Sequence, residues 1–322
     1  MAKWFIGMAF SLVGGNAIAQ SLSFSQPHGF YEEPFTVEIT CDSALAEGVA
    51  VRYTLDGSEP TLVSPLYSQP LTVKGNTLLR AVALADTGYV TPVATATYLF
   101  VQDVLQQPEA PSGYPLTWGK YCDIIGTAPA DYGMDPEMTN DAVLASKIAE
   151  GLTSLPALSI VTDKGNLFSH RNDSVTGGIY IFTGPPVGDS TGNGWTRPAH
   201  VELFGGQMQT VEGTASYDMS ASCGLRLHGG HGRLAEKNPK HSFRLVFKKE
   251  YGEKTLKYPI FGASTSRWFV GSSSSSTFVS LLISLHRRTF ACSPPLRTFT
   301  RLSMCFVVRP HFASAARTSY WV

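Results

Sequence analysis

Four sets of residues have types and spacings that could do chemistry. Asp56 and Glu59 stand close together in Asp56-Gly57-Ser58-Glu59-Pro60, and paired carboxylates can act as general acid and base. The same residues also spell a turn, with Asp capping and Gly taking a positive φ, and the turn is the preferred reading. His228 and His231 have the H-x-x-H spacing of a zinc pair. No helix or third ligand accompanies them, so they are read as loop histidines. Tyr31, Tyr53, Tyr67 and Tyr98 could stack on sugars, but their place in alternating runs favours core or cross-strand pairing. Finally, Gly229-Gly230-His231-Gly232-Arg233 lies between Arg226 and the pair Lys240 and Arg244. Such a loop can approach phosphates. It can equally be a plain hairpin with Lys240 at a solvated strand end, and glycines alone do not decide.

The elements that would position these groups are mostly strands. Runs 35–40, 49–55, 77–84 and 93–101 are β-branched with a period of two. Turn clusters separate them at Pro27-His28-Gly29, 56–60, 74–76 and 86–88. This spacing predicts a small antiparallel β-sandwich over 21–101. Residues 102–129 are rich in Pro and Gly and read as a linker. Beyond it, the pattern predicts a helix over 139–152 and strands over 157–162, 178–182, 199–204, 223–228 and 242–247, with a turn at 163–166. The fold class is mainly β: the sandwich, then an incomplete α+β domain over 130–262, then a disordered tail over 263–322.

The chain starts with Lys3, an apolar stretch from Trp4 to Val13, and Ala17-Ile18-Ala19. These are the parts of a secretory signal, so residues 1–19 are expected to be removed after Ala19. The expected location is secreted, periplasmic or cell-surface. Export permits disulfides, but Cys41, Cys122, Cys223, Cys292 and Cys305 have no spacing that fixes a pairing. No stretch is apolar for long enough to span a membrane.

Net charge is zero across 322 residues, which argues against a generally basic nucleic-acid binder. The zero is a cancellation. Residues 1–253 hold 16 Lys/Arg and 25 Asp/Glu, whereas residues 254–322 hold 9 Lys/Arg and no acid. The tail is also rich in Ser, Phe and Arg and has no Lys beyond Lys257. It is expected to be read out of frame or from a misassembled segment, the alternative being a genuine basic tail for an anionic surface.

Two stretches carry family resemblances. Phe30-Tyr31, Phe35-x-Val37-x-Ile39, Arg52-Tyr53-Thr54-Leu55-Asp56-Gly57-Ser58-Glu59-Pro60-Thr61, Tyr67-x-x-Pro70-Leu71 and Leu79-Arg80-Ala81 resemble the C-terminal β-sandwich module of chitobiase and β-hexosaminidase. The same module type occurs in family 29 fucosidases. The resemblance implies an accessory role without catalysis and a carbohydrate partner. Over 130–262, Leu155-Pro156-Ala157-Leu158, Gly178-Ile179-Tyr180, Trp195-x-Arg197-Pro198, Gly224 to Gly230 and Pro239-Lys240-His241-Ser242-Phe243-Arg244 resemble the opening of the CotH family of secreted, atypical bacterial kinases. That resemblance implies transfer of phosphate from ATP, with Mg²⁺, to protein hydroxyls in an intact member. The candidate ATP-phosphate contacts here are Lys240, Arg226, Arg244, Gly229, Gly230 and Arg233. Phosphoryl transfer also needs carboxylates to hold the metal, and no Asp or Glu follows Glu253. This chain is therefore expected to be inactive and without a cofactor, and no residue is given a catalytic or metal-binding role. The alternative reading is a carbohydrate-associated surface or secreted binding protein that works through the sandwich.

Overall fold

The computed structural model describes residues 20–119, 128–130, 132–171, 173–181, 195–210, 213–228, 242–258, 305–309 and 312–313. The signal segment, Cys122 and Cys292 lie outside the described residues. The described chain is mainly β, as its alternating runs predict. Among these residues no helix is long and apolar enough to cross a membrane.

The first part contains β1 (Leu22–Phe24), β2 (Gly29–Tyr31), β3 (Phe35–Val37), β4 (Ile39–Cys41), β5 (Ala50–Thr54), β6 (Leu71–Val73), β7 (Thr77–Ala85), β8 (Gly88–Tyr89) and β9 (Ala94–Phe100). The single strand expected over 35–40 is split. β3 pairs with β6 while β4 pairs with β1. Glu38 stands between them, its carbonyl and its amide both bonded to Ser25. The central sheet runs β2-β9-β7-β5, with β8 beside β7. Val37, Ile39, Leu71, Val73, Leu79, Ala81, Ala96, Tyr98 and Phe100 form the core between this sheet and the two short ladders.

A short helix, α1 (Val101–Leu105), follows directly, then the ladder of β10 (Thr117–Trp118) with β11 (Ala128–Pro129). Next come α2 (Pro136–Thr139) and α3 (Ala142–Ser154). Helix α3 is the helix expected over 139–152, with Asp141 as its cap. The Asp141 carboxylate accepts from the amides of Val143 and Leu144 at 2.9 and 3.0 Å, satisfying N–H groups that the helix leaves open. Ile148 and Leu152 point inward against Val104 and Met134. Val143 is exposed.

The second sheet is built from β12 (Ala157–Val161), β13 (Arg197–Thr210), β14 (Gly213–His228) and β15 (Ser242–Val246), with α4 (Lys164–Phe168) between β12 and β13. The order β15-β14-β13-β12 is antiparallel. In the tail, β16 (Cys305–Arg309) lies parallel to β12, and β17 (Phe312–Ala313) pairs with β16. Strands β13 and β14 are far longer than the sequence suggests. They form one hairpin, bent where the register shifts between Gly205 and Gln207. Gly205 and Gly206 have φ of +69° and +55°, the left-handed conformation that suits glycine.

The strand expected over 178–182 is absent from the described part of that segment. Residues Gly178–Ile181 form a turn whose amides bond to Ser169, Asn166, Leu167 and Gly178 rather than to a strand. A Cβ on Gly178 would sit 2.4 Å from the Leu167 carbonyl, so the close approach requires glycine. Ile179 and Tyr180 read as a strand because they are apolar and buried. They plug the end of the second core, which also holds Leu158, Ile160, Val201, Leu203, Leu225 and Phe243.

Candidate functional site

Sequence alternation places residues 198, 200, 202 and 204 of β13 on the face opposite that core. The register sets them beside Ser159 and Val161 of β12 and beside Asp218, Ser220 and Ser222 of β14. Half of this face is covered by the central sheet of the sandwich. Leu99 packs with Ala157, Phe204 and Phe30, and each fully buried side chain of this size contributes about 1.5–3 kcal/mol relative to exposure. The middle sheet is thus covered on both faces: Ala96, Tyr98 and Phe100 point to one core, and Thr97 and Leu99 to the other.

Polar groups interrupt this apolar seam and are bonded across it. Glu202 is fully buried. One of its oxygens accepts from the Thr97 hydroxyl at 2.5 Å and the other lies 2.8 Å from His28 Nδ1. Ser159 Oγ lies 2.7 Å from Thr97 Oγ1. His28 Nε2 reaches Asp218 at 3.2 Å. Burial works against charge on His28, but the two carboxylates outweigh it and hold its pKa above the usual imidazole value. Burial holds His200 below that value, with Glu202 pulling the other way and Arg80 and His28 adding to the lowering. His200 lies 2.8 Å from Ser220 and 3.3 Å from Ser222, both on the uncovered part of the face. The buried seam is suited to holding two layers together rather than to admitting a substrate.

A second polar group opens to solvent at one end of the seam. The turn reading of 56–60 holds. Asp56 accepts from the Ser58 amide at 3.0 Å and its hydroxyl at 2.5 Å, and Gly57 has a φ of +78°. Asp56 and Glu59 therefore do not form a catalytic pair. Glu59 instead turns to Arg80, 3.8 Å away, and its amide donates to Asp163 at 2.6 Å. Arg80 also lies 3.7 Å from Asp163. Burial raises the Asp163 pKa; the Glu59 amide and Arg80 oppose that, and the charges of Glu59 and Asp56 add to it. Above this group stands Tyr89. Its hydroxyl donates to the Pro60 carbonyl at 3.2 Å, and its side chain is 53% exposed. Leu62, Val63, Leu66 and Val90 are also exposed in this part of the module.

The four tyrosines considered from sequence are structural. Tyr98 is buried and donates to the Gln26 carbonyl, Tyr31 donates to Pro27, and Tyr67 accepts from the Ile39 amide. Tyr53 meets Tyr67 edge to face at 6.5 Å. Tyr89 was missed because it follows the turn at 86–88 and belongs to no alternating run. The carboxylate that faces Glu59 was missed because Asp163 is 104 residues away. Of the six phosphate candidates, Arg226 and Arg244 are directly opposite on β14 and β15, both half-buried. Lys240, Gly229, Gly230 and Arg233 lie outside the described residues, as does His231. Among the described residues no group of three or more His, Cys, Asp and Glu side chains could hold a metal ion.

A small β-sandwich lies by its central sheet against a second, larger sheet. Residues 26–95 match the family model of the chitobiase/beta-hexosaminidase C-terminal domain. This agrees with the resemblance seen in the sequence, and the match includes Gly57, Glu59, Arg80 and Tyr89. It does not extend into 130–262, and no match supports the CotH relationship expected there. No curated protein and no solved structure matches the chain.

Proposed function

We propose that the chain is an exported, carbohydrate-associated binding protein whose sandwich module presents Tyr89 as a sugar-stacking platform. The exposure of Tyr89 beside Arg80, Glu59 and Asp163 is the observation that carries this reading. A sugar ring has an apolar face that an aromatic ring can cover and hydroxyls that charged groups can bond. The family description names enzymes of hexosamine sugars, which makes β-linked N-acetylglucosamine polymers the first probes. The other face of the module's central sheet is occupied by β12 and β13, so ligand contact is left to the edge that bears Tyr89. The test is retention of the full chain on insoluble chitin and on cellulose. Retention that is lost in Tyr89→Ala, with unchanged circular dichroism, is expected. Equal retention of both chains would overturn the assignment of Tyr89.

A second reading keeps the CotH resemblance. Arg226 and Arg244 stand side by side on β14 and β15, as phosphate-binding cations would. In that reading the intact family phosphorylates protein hydroxyls with ATP and Mg²⁺, and this chain, with no carboxylate beyond Glu253, is inactive. A thermal shift with Mg²⁺ and ATP that disappears in Arg226→Ala would favour it.

A further inference from the structure

Both ring nitrogens of His28 meet carboxylates. Nδ1 lies 2.8 Å from Glu202 Oε1 and Nε2 lies 3.2 Å from Asp218 Oδ1. An ionised carboxylate only accepts hydrogen bonds, and a neutral imidazole carries a single N–H. Both contacts are made only when both nitrogens carry hydrogen, as in the imidazolium. A neutral ring would leave a lone pair facing a carboxylate on one side or the other.

The three residues belong to different layers. His28 precedes β2 in the module, whereas Glu202 and Asp218 project from neighbouring strands of the second sheet. Glu202 is fully buried, His28 is 12% exposed and Asp218 is 84% exposed. From β9, Thr97 donates to the other oxygen of Glu202, and the buried Tyr98 phenol lies near the same charge. From β13 come His200, kept neutral by burial, and the Phe204 ring, 5.1 Å from His28. Arg80 on β7 bears on His200. The charges in direct contact with His28 are therefore both negative.

We infer that His28 is a proton-controlled latch between the module and the second sheet, closed when the ring is an imidazolium and weakened when it is neutral. The direction of the pH effect follows from the environment. Burial disfavours the imidazolium, but Glu202 and Asp218 favour it more, so the folded pKa lies above the ordinary imidazole value of about 6.5. A group of this kind contributes fully below its unfolded pKa, and the contribution is lost as pH rises through the folded one. Between those two values the folded-to-unfolded ratio falls by up to about tenfold per pH unit. The latch weakens as pH rises from the ordinary imidazole value through the higher folded one.

The experiment uses the full chain. The His28 ring is titrated by proton–nitrogen NMR, and urea unfolding is measured from pH 6 to pH 8.5. A midpoint above 6.5 and stability that declines with pH are expected. In His28→Gln the part of that decline due to the latch should vanish. Asp218→Asn changes an exposed side chain and keeps the fold testable if His28→Gln fails to fold; it should lower the His28 midpoint and reduce the pH slope. A midpoint at or below 6.5, or equal pH slopes in the parent and Asp218→Asn, would overturn the latch.

Discussion

The Thr97 hydroxyl donates to the buried carboxylate of Glu202 at 2.5 Å, joining strands 105 residues apart in the chain. Thr97 also meets Ser159 at 2.7 Å, so one small side chain bonds two strands of the neighbouring layer. An unmatched polar group in such a place costs about 1–3 kcal/mol. Thr97→Val, which keeps shape and removes the hydroxyl, is expected to lower the unfolding free energy by that amount, seen as a lower urea midpoint with an unchanged slope. An unchanged midpoint would mean that Glu202 is satisfied without Thr97.

Removing the carboxylate should be worse. Glu202→Ala leaves Thr97 without its buried acceptor and His28 without its closer counter-charge. Breaking a buried ion pair from one side costs about 3–5 kcal/mol. A large loss of unfolding free energy is expected at pH 6, where His28 is charged, and a smaller one at pH 8.5. Equal losses at the two pH values would contradict the role of charge in this contact.

The turn at 178–181 is the most sterically demanding point described. A methyl group on Gly178 would strike the Leu167 carbonyl and the Ser169 amide, each 2.4 Å from the new carbon. These are backbone atoms held by hydrogen bonds and cannot swing aside. Gly178→Ala is expected to cost about 1–3 kcal/mol or more, the range for overpacked interiors. Gly165→Ala, where a Cβ meets nothing within 4 Å, is the control. Similar thermal midpoints for the two variants would refute the assigned close contact.

Cys41 and Cys223 are free thiols in different surroundings. Cys41 is half-buried, whereas Cys223 is buried and its thiol is pushed up to about 12 by desolvation. Thiolate is the reactive form. Iodoacetamide at pH 8 should alkylate Cys41 in the native chain and leave Cys223 unmodified until urea is added, as read by peptide mass mapping. Early modification of Cys223 would show that the second core opens readily.

The strands were legible where one face alone is buried. Alternation in 49–55 and 93–101 located β5 and β9 within a residue or two. Burial of both faces is what hid the seam. Ala157–Val161 is buried at all five positions and β7 at most of its nine. Such runs announce a strand covered on both sides, yet they do not say by what. Glu202 lies between Val201 and Leu203, a position that simple alternation would turn toward solvent. The clue against that reading was Phe204 on the same face. His28 read only as part of a turn, and its partners became visible only with the layers in place. The helix start was legible to within three residues: Thr139, Asn140 and Asp141 can all cap, and the carboxylate of Asp141 is the one that reaches two amides.

Tyr89 gives the most direct test of the proposed function. Isothermal titration of the full chain with an N-acetylglucosamine oligosaccharide should show saturable binding that Tyr89→Ala abolishes and Tyr89→Phe retains, since stacking needs the ring more than the hydroxyl. Binding of equal strength in Tyr89→Ala would contradict the assignment of the platform, and absence of heat with the parent chain across chitin, cellulose and xylan oligosaccharides would contradict a carbohydrate role altogether.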